Sequence, residues 1–408
     1  MSKPRAILID AAQTAYPARA THQSGMRAYN ERLVLSLVRR HGSLPKAEIA
    51  RLTGLSPQTV SVIVRQLEGD GLLLKKRPQR GKVGQPLVPF SLNPEGAYFV
   101  GIKIGRRSGD LILLDLAGRV RSKVHQSYVY PTPDDVMSFV ESSLTTLMRD
   151  LSADQRQHIA GVGVGIPFEL WNWEDAVGAP REVMTAWKSF DLQRKIKDIC
   201  AWPVHICNDA TAACAGELVF GGGSRYRDYV YFFVSYFIGG GIVLGGTLIP
   251  GPTGNAGALG SLPVPRPGGG SQQLIHSASL YVLERALFAE GRDPAILWQA
   301  PDDWGDIGLP LEHWIESAAV TIAYAIAASA SVIDFPAAII DGAFPPAVRY
   351  KLVERIKQKM KEVDLRGLSP VGIIAGMIGS DARALGAASL PLLANFAIDR
   401  NVLFKDTA

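Results

Sequence analysis

Two sets of residues in this 408-residue chain have types and spacings that could do chemistry. The first is a run of cations, Lys75, Lys76, Arg77, Arg80 and Lys82, set among Gly81, Gly84 and Gln85. It follows a segment that opens Ser56-Pro57-Gln58-Thr59-Val60-Ser61. Cations on a glycine-bearing loop suit a phosphate backbone, because the chain approaches closely and each neutralised phosphate releases a counterion. The second set is Cys207-Asn208-Asp209-Ala210, a carboxylate beside an amide where an apolar run gives way to a helical one. Such a pair can satisfy adjacent hydroxyls, since the carboxylate accepts and the amide both donates and accepts. Asp209 is equally a residue that caps a helix, and both readings stand. Three glycine-rich turns, Gly239-Gly240-Gly241, 251–257 and 376–380, adjoin strand patterns and could cradle an anion with backbone amides. No Ser-His-Asp or Cys-His arrangement emerges. Cys200, Cys207 and Cys214 fall on a helix end, a strand and a helix, and read as small buried hydrophobes. No catalytic residue, metal or cofactor is assigned.

The elements that must position the cations are three helical segments and a hairpin. Apolar residues recur at helical spacing through Leu33, Val34, Leu37 and Val38, ahead of Arg39-Arg40-His41-Gly42. A short second segment covers 43–52, then Thr53-Gly54-Leu55 forms a turn, and a third helix starts at a Ser56 cap with Pro57 at its first position. Ile49, Leu52, Leu55, Val60 and Ile63 are expected to pack together, which leaves Gln58, Thr59, Ser61, Val62, Arg65 and Gln66 outward. Strands at 72–75 and 87–92 then enclose the basic loop. This is a winged helix-turn-helix, and its outward residues are of the types that read base edges and phosphates. The same geometry also occurs in modules that bind protein.

From residue 97 the pattern becomes strands alternating with helices, an α/β body in two lobes. Charge divides along the same line: residues 1–90 hold 15 Lys and Arg against 5 Asp and Glu, and residues 91–408 hold 28 against 33. A basic end on a mildly acidic body points to a polyanionic partner for that end. At 47% hydrophobic and 20% charged residues, the composition excludes a disordered chain and a fibre. Few cysteines and no apolar leader suit a reducing, cytoplasmic setting, and the apolar run 318–333 reads as a buried helix.

From about Gly25 onward the chain resembles the repressor branch of the ROK family (repressors, open reading frames and sugar kinases), near the N-acetylglucosamine and xylose repressors. The resemblance rests on LSPQTVSVIVRQLEGDGLL, RGKVGQPLVPFSLNPEGAYFVGIKIG, GVGVGIPF, VHICNDATAACAGELVFGGG, GGGIVLGGTLIPGPTGNAGALGSLPV and SVIDFPAAIIDGAF. It implies an arm at 1–24, a DNA-binding winged helix-turn-helix at 25–95, and at 96–408 an actin-like, ribonuclease H-like body that binds an effector and oligomerises. Expected DNA contacts are Ser56, Gln58, Thr59, Ser61, Arg65, Lys75, Lys76, Arg77, Arg80, Lys82 and Gln85. Expected ligand contacts are Pro167, Asn208, Asp209, Gly254, Asn255, Ala258 and Ser261, with Asp209 at the position of the kinases' catalytic base. Trp171, Trp173 and Trp187 lie in loops of the lobe bearing the expected cleft and could stack on a ligand ring, although loop tryptophans more often seal a core or an interface.

The departures from the family matter as much. Where family kinases carry Asp-x-Gly-Gly-Thr for Mg-nucleotide, this chain has Lys103-Ile104-Gly105-Arg106-Arg107. The family's sugar-binding Glu is Ala258, its sugar- and zinc-binding His is Ser261, a further Glu is Ile275, and its cysteine cluster is missing around 266–273. The expected protein is therefore a repressor of carbohydrate-related genes that binds double-stranded operator DNA and a small sugar-like effector, forms a dimer or tetramer, needs no membrane, and does not phosphorylate. Its alternatives are an active sugar kinase with a DNA-binding extension and a ligand-independent repressor with a decayed pocket.

Overall fold

The computed structural model describes residues 23–78, 87–172 and 178–398. Helix α1 (Gln23–His41) packs on α2 (Lys46–Thr53) and α3 (Pro57–Gly69) around Val34, Val38, Ile49, Val60, Ile63, Val64 and Leu67, all buried. Ser56 caps α3 by accepting from the Thr59 amide at 3.1 Å, and Pro57 stands at its first turn. Gly54 ends α2 in the left-handed region, φ 72°, which only a residue without a Cβ adopts cheaply. Two expectations change. Leu44–Pro45 is a short strand, β1, not the start of a helix, and Leu52 is exposed, since α2 turns it away from α3. Strands β2 (Leu73–Lys75) and β3 (Pro89–Leu92) pair antiparallel, with β1 on the other side of β3.

Each lobe of the body is built on a five-stranded sheet with the same plan, three antiparallel strands followed by two parallel ones. The first sheet has the order β6-β5-β4-β7-β8, from Val120–Ser127, Ser108–Asp115, Tyr98–Ile104, Ile159–Ile166 and Val204–Asn208. The second has the order β11-β10-β9-β12-β13, from Thr247–Ile249, Gly239–Leu244, Tyr229–Val234, Ala337–Gly342 and Gly372–Ala375. Helix α4 (Pro133–Asp150) covers the first sheet with Val136, Phe139, Val140, Leu144 and Leu147. Helices α6 (Leu309–Val332) and α7 (Pro346–Met360) cover the second. By length and composition α6 could cross a membrane; half of its most apolar stretch is buried in this lobe. The glycines 239–241 are strand residues paired with 231–233, not a turn, and two short helices, 275–278 and 280–289, meet at Ser279.

Two helices join the lobes. Helix α5 (Asp209–Phe220) leaves β8 and packs its Ala210, Ala213 and Cys214 on the second sheet. Helix α8 (Ala382–Phe396) returns from the second lobe and lies across β4, β7 and α5. Glycines make this packing possible: a Cβ on Gly163 of β7 would stand 1.8 Å from the Ala387 carbonyl of α8, and one on Gly386 of α8 would stand 1.6 Å from the Ala212 carbonyl of α5. Glu217, buried in α5, accepts the amides of Gly222 at 2.7 Å and Met377 at 3.1 Å, tying α5 to the turn that precedes α8. Burial pushes its carboxyl up to about 7 against those bonds.

These contacts carry two predictions. Gly163→Ala should cost on the order of 3 kcal/mol, because backbone must move on both elements, whereas Gly69→Ala, with open space around it, should be near neutral; urea unfolding compares them. For Glu217 the folded state binds more protons than the unfolded chain between about 4.5 and about 7, so this group's contribution to stability is full below that window and is lost as pH rises through it. Glu217→Gln should therefore lose less stability than the parent between pH 5 and pH 7.5, read from unfolding midpoints at the two values.

Candidate functional site

On the winged helix, the face of α3 opposite its core presents Gln58, Val62, Arg65 and Gln66 to solvent, with Thr59 and Ser61 half-buried beside them. The Ser56 hydroxyl is engaged in the cap and lies 2.8 Å from the Thr59 hydroxyl, and Lys46 donates to Ser61 at 3.4 Å. Lys75, Lys76 and Arg77 are exposed where the chain leaves β2, so cations continue from the helix toward the wing. Arg80, Lys82 and Gln85, like residues 1–22 of the arm and Trp173, lie outside the described residues.

The second site is a cleft of about 990 Å³ between the lobes, at the carboxyl ends of β7 and β8. Pro167, Asn208, Asp209, Asn255, Ala258 and Ser261 line it, together with Ile275. Gly254 does not; it shapes the turn from which Asn255 projects. Asn208 is the cap of α5, accepting the Ala210 amide at 2.9 Å, and Asp209 is the helix's first residue. The capping role expected of Asp209 thus falls one residue earlier. Asp209 instead pairs with Arg383 of α8 at 3.3 Å, and the Arg383 guanidinium lies 5.6 Å from the Phe233 ring. Trp187, expected in a ligand loop, is buried in the first-lobe core and donates to the Pro131 carbonyl at 2.8 Å.

Residues beyond those expected as ligand contacts complete the cleft. Arg106, buried, lies with its guanidinium 4.1 Å from the centre of the Phe237 ring and lines both this cleft and a second one. Glu169, with φ 46°, holds Asn172 at 2.7 Å on the rim. Arg106 was visible as a cation beside the first hairpin, whereas Arg383 lies 174 residues from its partner and leaves no local signal.

The second cleft, about 1030 Å³, lies beyond Arg106 and is lined by Lys103, Arg107, Lys123 and Arg383. Each of these cations is matched by a carboxylate. Lys103 donates to Asp110 at 2.8 Å and to Ser108 at 2.6 Å, and His125 Nδ1 shares Asp110 at 2.6 Å. Arg107 faces Glu284 at 3.9 Å and the Trp298 ring at 5.7 Å, Lys123 pairs with Asp381 at 2.6 Å, and Arg383 with Asp209. Burial and the neighbouring Arg383 push Lys103 down to about 8. Burial raises the Asp110 carboxyl, but Lys103 and His125 outweigh it and hold it at about 2. Among the described residues no group of three or more His, Cys, Asp or Glu is placed to hold a metal ion.

Because Lys103 and Asp110 are both buried, losing one partner strands the other. Asp110→Leu alone should cost about 3–5 kcal/mol, as should Lys103→Met alone, and the double replacement Lys103→Met with Asp110→Leu should recover most of that loss. Denaturant unfolding of the two single variants and the double variant tests the coupling.

Residues 99–272 match the ROK family, and residues 27–73 match a winged helix-turn-helix DNA-binding family. An uncharacterized protein of Sinorhizobium fredii, y4fQ, is 24% identical over 378 residues, 90% of this chain and 91% of its own. The xylose repressor of Bacillus spizizenii is 24% identical over 253 residues, 59% of this chain and 62% of the repressor. A crystallised ROK family transcriptional regulator, a homologue of the Escherichia coli Mlc protein, shares the fold over 92% of this chain and 98% of its own, with a TM-score of 0.64 and 19% identity. The winged helix joined to two matched sheets is the fold that this regulator shares, and the ROK family match covers residues 99–272 of the chain.

Proposed function

We propose that this protein is a DNA-binding transcriptional repressor of carbohydrate-related genes, whose sugar-kinase-like body binds a small sugar-like effector without phosphorylating it. The observation that carries the DNA half is the capped α3 with Gln58 and Arg65 exposed beside the cations 75–77. Short polar groups near a helix N-terminus reach base edges, and the cations flank them against phosphates. Residues 25–95 form the reading unit in this account, and 96–408 the sensing and oligomerising body. A single reading helix contacts few base pairs, so a two-fold partner on a palindromic site follows, and the cytoplasm is where operator DNA is met.

The effector half rests on Asn208 and Asp209 at the base of the cleft, with Asn255 and Ser261 opposite. Ala258 and Ile275 offer no polar group, so a site with few fixed partners discriminates weakly among plain hexoses and favours a modified sugar or another polyol. Phosphoryl transfer is disfavoured by the charges. A base must be free to take the hydroxyl proton, and Asp209 is held by Arg383. Lys103, Arg107 and Lys123 at the second cleft are each paired with a carboxylate of the protein, which leaves these three little charge to offer a triphosphate and its metal. A structural zinc does not fit either, since Ser261 and its surroundings lack the thiol and imidazole donors that such a site needs.

Arg65→Ala should weaken binding to a selected duplex by about 1–3 kcal/mol and relax its sequence preference. Lys76→Ala should weaken all duplexes alike and reduce the salt dependence, both read by fluorescence anisotropy at two salt concentrations. Calorimetry with glucose, N-acetylglucosamine and a set of modified sugars should give weak heats for the first two. Sugar-dependent ATP hydrolysis would establish the kinase reading instead.

A further inference from the structure

Helix α8 touches the cleft at one end and the winged helix at the other. At its first turn Arg383 pairs with Asp209 at 3.3 Å. At its last turn Phe396 packs against the winged-helix core and meets the Phe99 ring edge-on at 5.7 Å, and Arg32 of α1 donates to the Ala397 carbonyl at 3.5 Å. The thirteen residue steps from Arg383 to Phe396 span about 20 Å at the rise of an α-helix.

Between those ends the helix has little room to absorb a displacement. Gly163 and Gly101 bring β7 and β4 against its backbone, and Gly386 brings it against α5. Pro391 lies inside the helix and removes the donor for the Ala387 carbonyl, the same carbonyl that Gly163 abuts. Asn395 donates back to the Pro391 carbonyl at 2.8 Å, so the last turn stays helical beyond the proline. Interfaces packed this closely shift as units, not by gradual deformation.

We propose that α8 transmits the state of the cleft to the DNA-binding unit, with the Asp209–Arg383 pair as its input and the Phe396, Ala397 and Arg32 contacts as its output. A ligand whose hydroxyls claim the Asp209 carboxylate competes with Arg383 for the same oxygens. Release of that guanidinium frees the first turn of α8 from α5, and the helix then settles differently under α1. This rests on the reading that the cleft holds the effector and that residues 25–95 bind DNA; the pair itself can be broken without knowing the effector.

The test is hydrogen exchange on the full chain, comparing the parent with Arg383→Gln, Arg383→Lys and, as a distant control, Arg355→Gln, whose partner Glu316 lies in the second lobe. Arg383→Gln should speed exchange about tenfold in 391–396 and in α1, with Arg383→Lys intermediate and Arg355→Gln unchanged there. Faster exchange confined to 209–215 and 382–386 would overturn the relay. A rise spread equally over α6 and α7 would overturn it too, since that is general destabilisation. Affinity of the parent for duplex DNA is measured separately: its absence would defeat the functional reading, whereas normal DNA binding with a local exchange pattern would defeat the relay alone.

Discussion

The contact of α8 with α5, β4 and β7 at backbone distance is the constraint from which the rest follows. It fixes where β8 ends, because α5 must start there and lie against α8, and it therefore fixes Asn208 and Asp209 in the lining of the cleft between the lobes. It also sets Arg383 opposite Asp209 and Asp381 opposite Lys123, so two of the ion pairs bordering the clefts are consequences of one helix's position. A side chain larger than hydrogen at Gly163 or Gly386 would separate these elements, and the pairing geometry would go with them.

The charges around the clefts are largely balanced from within the protein. A buried cation needs a partner, and the protein supplies Asp110 for buried Lys103; the more exposed Arg107 and Lys123 are paired with Glu284 and Asp381. A cavity whose charges are neutralised from within gains little by admitting a polyanion. The neighbouring cleft keeps Asp209 and Asn208 but is walled by Arg106 and Phe237, which favours a small ligand that stays on one side of that wall.

Much of this was legible in the sequence where the determinants are local. The Ser56-Pro57 start of α3, the Gly54 turn and the alternation of strands and helices each follow from backbone chemistry within a few residues, and each is found where the pattern places it. What escaped depends on partners far along the chain. Leu52 has the spacing of a core residue, yet no element covers it. The glycines 239–241 have turn composition but serve as a strand, because β10 passes so close to α5 that a Cβ on Gly241 would stand 2.5 Å from that of Cys214. Arg383 gives no local sign that its partner is Asp209. In each case tertiary packing overrides a local preference.

The winged helix gains from the same long-range packing. A unit of roughly 70 residues buries only a modest core and is correspondingly marginal on its own. Phe396 adds an aromatic face to that core from outside the unit, and the Asn93 amide donates to the Gly71 carbonyl at 2.7 Å where the chain turns into the body. The orientation of α3 is therefore not a property of residues 25–95 alone. It is set partly by a surface belonging to α8. Tying a small domain to the end of a tightly packed helix couples its order to the packing of that helix within the body.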